Sequence, residues 1–343
     1  MKIIVDAMGG DHAPEQMIAG AVAAAADGAE VILVGRGEEI LQCLKKTGSD
    51  TLPKGLEIAN ADDVVQMEDE PTQVLRTRKN SSMVVGLQML AEGQADALVS
   101  AGNTGALLTA STLLVKRLPG VRRAALCPVL PAQNGGTLLM DAGANAECTP
   151  EFLLQFALMG SCYAQRMMGR PTPRVGLLSN GTEAEKGTPL VKQAHALLLQ
   201  AAEKGWIHFV GNVEARDALS GAVDVMVTDG FTGNILLKSI EGTGMYFAAE
   251  MKRMFYRSAL SKLGALCCKK GIGEIKNKMD YRQTGGTLFI GLTKPVIKAH
   301  GSSDALAIRN AIRQAAGYVE SDVVQAVRVQ MEERLEGGEQ HGL

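Results

Sequence analysis

Short apolar, β-branched runs recur along the chain at residues 3–5, 31–34, 97–99, 138–140, 175–178, 207–210 and 223–227. Consecutive rather than alternate positions are apolar, which predicts strands covered on both faces, as in a parallel sheet. Between them lie longer segments with a 3.6-residue period at 14–26, 81–92, 150–168 and 190–203. This alternation predicts an α/β fold: a mostly parallel, doubly wound, Rossmann-like sheet with helices on both faces.

Each apolar run ends in a small, polar, glycine-containing turn: DAMGGD (6–11), VGRG (34–37), SAGNTGA (100–106), DAGAN (141–145), SNGTE (179–183), TDGFTGN (228–234) and HGSSD (300–304). In an open parallel sheet the ligand site lies at the carboxyl ends of the strands, where the next helix presents unpaired N–H groups. Gly102, Asn103, Thr104 and Gly105 suit an anion-binding turn, yet they form neither a Walker loop nor GxGxxG, and a plain N-cap turn explains them equally well. Lys186 lies a few residues beyond a turn containing Asn180, Gly181 and Thr182. A helix start repels cations, so a lysine there suggests an anionic ligand, the alternative being a solvated side chain. Thr232, Gly233 and Asn234 precede an apolar helix, with Asn234 either an N-cap or a catalytic donor. Asp6, Asp11, Asp141, Asp229 and Asp304 at the exits either cap helices or bind a metal, and capping is expected for most. His12 and His300 have no GxSxG elbow to serve, so no protein nucleophile is indicated.

One segment departs from this pattern. Residues 251–273 contain no acid and six bases: Lys252, Arg253, Arg257, Lys262, Lys269 and Lys270. On a helical wheel Tyr256, Leu260 and Leu263 share a side, with Leu266 beside them, which predicts a basic amphipathic excursion at about residues 245–275. It suits either contact with an anionic membrane surface or packing against protein. Residues 1–330 are expected to form one α/β domain and 331–343 a frayed tail. A formal net charge of −2 over 343 residues excludes nucleic-acid binding through global charge. Asp6 and Asp11 interrupt the amino terminus where a secretory signal needs an apolar core, and no stretch reaches 18 apolar residues, so a cytoplasmic protein is expected. Six cysteines without CxxC or Cys/His spacing read as reduced thiols, and no cofactor or metal is expected.

Taken in order, DAMGGDHAPE (6–15), SAGNTGALL (100–108), MDAGAN (140–145), SNGTEAEKG (179–187), TDGFTGN (228–234) and KAHGSSDA (298–305) resemble bacterial phosphate acyltransferase, an acyl-ACP:phosphate transacylase. The resemblance runs from Met1 to about Val324. It implies a fold similar to phosphotransacetylases and isocitrate dehydrogenases, and a homodimer that converts long-chain acyl-ACP and inorganic phosphate into acyl phosphate and free ACP. A downstream membrane acyltransferase then uses the product for phosphatidic acid and phospholipid synthesis. The resemblance also makes Lys186 and Asn234 the catalytic pair and the basic stretch a membrane-associating hairpin. Phosphate is then expected to be the direct nucleophile, held by the turns at 102–105 and 181–182 and by Lys186. Because acyl carrier proteins are acidic, Arg122, Arg123 and the 252–270 segment are candidate docking residues. Two rivals remain: a metal- and NAD-dependent dehydrogenase using Asp11 and Asp304, disfavoured by the missing dinucleotide fingerprint, and a non-catalytic membrane-associated scaffold for lipid enzymes.

Overall fold

In the computed structural model, which describes residues 1–46, 51–133, 135–279 and 281–339, the apolar runs become strands of two sheets rather than one. The strands are β1 (Lys2–Asp6), β2 (Glu30–Gly35), β3 (Leu56–Asn60), β4 (Ala97–Ser100), β5 (Ala125–Leu126), β6 (Val129–Leu130), β7 (Thr137–Met140), β8 (Arg174–Ser179), β9 (His208–Glu214), β10 (Val225–Val227), β11 (Gly286–Ile290) and β12 (Val296–Ala299). Among the described residues the first sheet has the order β3-β2-β1-β4-β12-β11-β5 and the second β6-β7-β10-β8-β9. Pairing is parallel except at β11 and β5 in the first sheet and β6 in the second.

The continuous apolar runs follow from burial on both faces. Ile3, Val5, Val31, Leu33, Ala97 and Val99 enter one core layer, while Ile4, Ile32, Val34 and Leu98 enter the layer on the opposite face. Helices Glu15–Ala26 and Ala305–Glu320 pack on the first face, and helix Ser82–Ala91 on the second. In the second sheet Leu138, Met140, Val175, Leu177, Val225 and Val227 join the same core layer as Ile3 and Val5, so the two sheets share one interior. A hydrogen bond of 2.9 Å between the buried hydroxyls of Tyr163 and Tyr318 links helix Pro150–Met168 of the second sheet to helix Ala305–Glu320 of the first. The outer face of the second sheet, with Leu139, Leu178 and Met226, is covered by Leu236, Leu237 and Ile240 of helix Gly230–Tyr256.

The basic segment is not one helix. Helix Gly230–Tyr256 stops, Ser258 caps a second helix by accepting from the Ser261 N–H at 3.1 Å, and helices Ala259–Cys267 and Lys269–Met279 follow. Tyr256 therefore belongs to a different helix from Leu260, Leu263 and Leu266, although all four are exposed. The last helix spans Val323–Glu339, and residues 340–343 of the expected tail lie outside the described residues.

Candidate active site

The glycine turns gather in two groups because their strands are neighbours. In the first sheet β1, β4 and β12 lie side by side, so the turns at 6–11, 100–106 and 300–304 leave one stretch of the sheet's carboxyl edge. In the second sheet β7, β10 and β8 do the same for the turns at 141–145, 228–234 and 179–187.

The first group is bound together from beneath. Asp6 is fully buried and accepts from the Ser82 hydroxyl at 2.5 Å, the Ser100 hydroxyl at 2.7 Å and the Met8 N–H at 3.3 Å. Burial pushes its carboxyl above the usual carboxylate range, while these hydrogen bonds act in the opposite direction. The Gly102 N–H donates to the Ser100 hydroxyl at 3.1 Å. A Cβ on Gly9 would stand 2.5 Å from the Asp6 carboxylate and 2.9 Å from the Gly102 nitrogen, so this glycine is demanded by close packing. Asn103 is the N-cap of helix Thr104–Leu114: its Oδ1 accepts from the Ala106 N–H at 3.0 Å, and its Nδ2 donates to the Met67 carbonyl at 2.9 Å. The Asp11 N–H donates to the Gly301 carbonyl at 2.8 Å, and the half-buried Lys298 ammonium donates to the carbonyls of Ala101 (3.3 Å) and Ala299. Burial pulls the Lys298 ammonium down to about 8. Asp304 caps helix Ala305–Glu320 and pairs with Arg282 at 3.2 Å.

The second group has the same kind of base but a different surface. Asp141, buried, accepts from the N–H groups of Leu126, Gly143, Ala144 and Asn145 and from the Asn145 side chain. A Cβ on Gly233 would stand 1.9 Å from the Asp141 carbonyl oxygen, so the start of helix Gly230–Tyr256 is pressed onto this turn. The cap of that helix is Asp229, which accepts from the Thr232 N–H and the Thr232 hydroxyl, both at 2.8 Å. The N-cap reading of Asn234 is thereby corrected. Asn234 lies inside the helix, exposed, with its side chain 3.7 Å from the Cβ position of Gly143. Lys186 stands two residues ahead of Thr188, the cap of helix Pro189–Glu203. Its aliphatic stem lies against Gly181, where a Cβ would be 2.9 Å from the lysine Cγ. The loop is held by the Asn212 amide, which donates to the Glu183 carbonyl at 2.8 Å. Among the described residues, neither the Lys186 ammonium nor the Asn234 amide is engaged in a hydrogen bond or ion pair.

The sequence-predicted residues are thus distributed over both groups. Asn180, Gly181, Thr182, Lys186, Thr232, Gly233 and Asn234 follow the neighbouring strands β8 and β10, whereas Gly102, Asn103, Thr104 and Gly105 follow β4 of the first sheet. Helix Gly230–Tyr256 relates the two groups electrostatically. Its Lys238 charge opposes the ammonium of Lys298 and, after burial, is the largest influence lowering the His300 imidazole. Sequence reasoning missed Ser82, Lys238 and Lys298. For Lys298 the available signal was its place inside the KAHGSSD run, and for Ser82 there was none.

Comparison with known proteins decides the family. The family described as fatty acid synthesis protein matches residues 1–326. A phosphate acyltransferase of Exiguobacterium sp. is 47% identical over 333 residues, covering 96% of this chain and 98% of that one. A phosphate acyltransferase of Bacillus licheniformis is 44% identical over 339 residues, covering 98% and 100%. The chain belongs to the phosphate acyltransferase family. It is an acyltransferase of fatty acid and phospholipid synthesis, which removes the dehydrogenase and scaffold readings as accounts of its main activity. Solved structures agree on the fold: a phosphotransacetylase from Streptococcus pyogenes superposes with a TM-score of 0.64 at 18% identity, covering 95% of this chain and 94% of that one. A phosphotransacetylase from Staphylococcus aureus gives 0.59 at 17% identity with the same coverage. The expected likeness to phosphotransacetylases is therefore observed, with the acyltransferase strands divided between two sheets.

Proposed function

We propose that this acyltransferase moves a long-chain acyl group from the thioester of an acyl carrier protein onto inorganic phosphate, giving acyl phosphate and the free carrier thiol. The observation that carries the reading is the pair of exposed, uncommitted polar side chains, Lys186 on the loop after β8 and Asn234 in the first turns of the helix after the neighbouring strand β10. Phosphate is the nucleophile. Lys186 offsets its charge and holds one of its oxygens within roughly 3 to 3.5 Å of the thioester carbonyl carbon. The new C–O bond forms as the carbonyl electrons move to oxygen, and the Asn234 amide donates to that oxyanion. When the carbonyl reforms, the C–S bond breaks, its electron pair leaves with sulfur, and the carrier thiolate takes a proton from solvent. No acyl-enzyme is formed, and no cofactor enters any step. Incubation with palmitoyl carrier protein, with and without phosphate, tests this: free thiol and a hydroxylamine-trappable acyl product are expected together and only with phosphate. Thiol release without phosphate would show a thioesterase instead.

The reading extends to where the product is delivered. Leu260 is 80% exposed, Tyr256, Leu263 and Leu266 are also exposed, and helix Ala259–Cys267 buries none of its side chains. No helix among the described residues is long and apolar enough to cross a membrane, and the proposed contact is made at the surface by these side chains, with flanking bases on anionic headgroups. This would place a homodimer's acyl phosphate beside the downstream membrane acyltransferase. Leu260→Glu with Leu263→Glu should lower co-sedimentation with anionic phospholipid vesicles about 10-fold. Unchanged binding would remove this pair of helices from membrane contact.

A further inference from the structure

The chain between β4 and β5 and the start of helix Pro150–Met168 form an open groove of about 540 Å³, lined by Arg117, Gly120, Val121, Arg122, Arg123, Thr149, Glu151 and Phe152. Three guanidinium groups face one carboxylate there. Arg123 lies over the Phe152 ring at 5.3 Å from its centroid, and Arg117 donates to the Arg122 carbonyl, so two of the three are pre-positioned. Arg122 and Arg123 are both exposed, and the Arg122 guanidinium makes no hydrogen bond or ion pair among the described residues. Glu151 offsets only part of this charge, through its attraction to Arg122, so three arginines against one carboxylate leave a net positive recognition surface for several negative charges. A groove of this volume exceeds what one inorganic anion fills.

Its position narrows the occupant. Ala124, directly after Arg123, accepts from the Asn145 amide at 2.8 Å, and Asn145 also bonds Asp141 and accepts from the Gly230 N–H at 2.7 Å. One residue therefore separates the arginines from the turn on which the Asn234 helix rests. Cys148 feels both sides at once: burial chiefly raises its thiol, Asp141 and Asp229 add to that, and Arg123 opposes them. A partner seated in the groove is thus delivered to the mouth of the catalytic turns, which a merely solvated basic patch does not require. We infer that this arginine groove is the docking surface for the acidic protein that carries the acyl thioester, an acidic segment of the carrier lying across Arg117, Arg122 and Arg123 while its thioester arm reaches Asn234. The inference rests on the carrier-borne donor of the proposed reaction.

Steady-state kinetics with two donors test it: palmitoyl carrier protein, and palmitoyl-pantetheine thioester, which lacks the protein. Arg122→Glu with Arg123→Glu should lower kcat/KM for the carrier-borne donor about 10- to 100-fold, mainly through KM, and remove most of the wild type's salt dependence. Turnover of the small thioester should stay within about 2-fold, which also reports that the variant is folded. The milder Arg122→Gln with Arg123→Gln should give an intermediate loss. If both donors are affected equally, if neither is, or if light scattering shows that the variants change oligomeric state, the groove is not the carrier's docking surface. If instead the wild type fails to release thiol from carrier-borne donor in a phosphate-dependent way, the proposed reaction fails first and this assignment with it.

Discussion

The two groups of turns solve the same folding problem with opposite consequences for chemistry. Each rests on a buried aspartate, Asp6 in the first sheet and Asp141 in the second, whose oxygens collect N–H and O–H donors that would otherwise be stranded inside the protein. Above Asp6 the polar groups are largely consumed: Ser82, Ser100, the Gly102 N–H, both ends of the Asn103 amide and the Lys298 ammonium all have protein partners. Above Asp141 the cap is supplied by Asp229, which leaves Asn234 over, and the Gly181 loop leaves Lys186 over. On the proposed reading, a turn whose polar side chains are taken up serves as scaffold, and one with uncommitted side-chain donors serves as site. The difference puts the proposed chemistry on the second sheet and leaves shape to the first.

That division is broken most directly by substitution on the second sheet. Lys186→Ala should lower kcat/KM for phosphate-dependent acyl transfer by roughly 1000-fold, and Asn234→Ala by about 100- to 1000-fold, each with an unfolding midpoint close to wild type because neither side chain has protein partners to lose. Near-normal turnover by a folded Lys186→Ala variant would refute its role. Asn234→Asp separates donation from size. It retains shape but presents an acceptor, so it should be as slow as the alanine variant.

How much of this was legible beforehand depended on the residue. The apolar runs that became β1, β2, β4, β7, β8 and β10 were visible because strands buried on both faces leave unbroken hydrophobic stretches. The edge strand β9 was read too short, at 207–210 instead of His208–Glu214, since its burial alternates. The partition into two sheets was not legible, because periodicity reports that a strand is covered and not which strand lies beside it. The same limit applied at the site. Asn103 and Asn234 both follow glycine-rich strand exits, and only the structure shows that the first caps its helix while Asp229 displaces the second from that duty. Ser82 sits 76 residues from Asp6, a separation at which no local pattern speaks.

On the first sheet the expected loss is in stability. Asp6→Ala leaves two buried hydroxyls and the Met8 N–H without their acceptor, which should cost about 3 kcal/mol in a denaturant titration. Residual turnover should track the folded fraction, and a fully folded but inactive Asp6→Ala protein would move Asp6 from scaffold to site.

The smallest effect, and the sharpest on the boundary between the groups, belongs to Lys298. Burial holds its folded pKa at about 8, below the 10.5 of an ordinary lysine, so above pH 8 the unfolded chain keeps a proton that the folded chain has released. Stability contributed by a group that binds more protons when unfolded rises with pH, so the penalty of burying this ammonium is complete below pH 8 and relieved towards pH 10.5. Buried Tyr163 and Cys127, whose own groups are pushed upward, act oppositely at alkaline pH, so the quantity to measure is a difference. The unfolding free energy of wild type minus that of Lys298→Met should climb by roughly 2 kcal/mol between pH 8 and pH 10. A flat difference would mean that Lys298 reaches solvent or a bound anion, and the first sheet would then contribute a charge to the site as well as its shape.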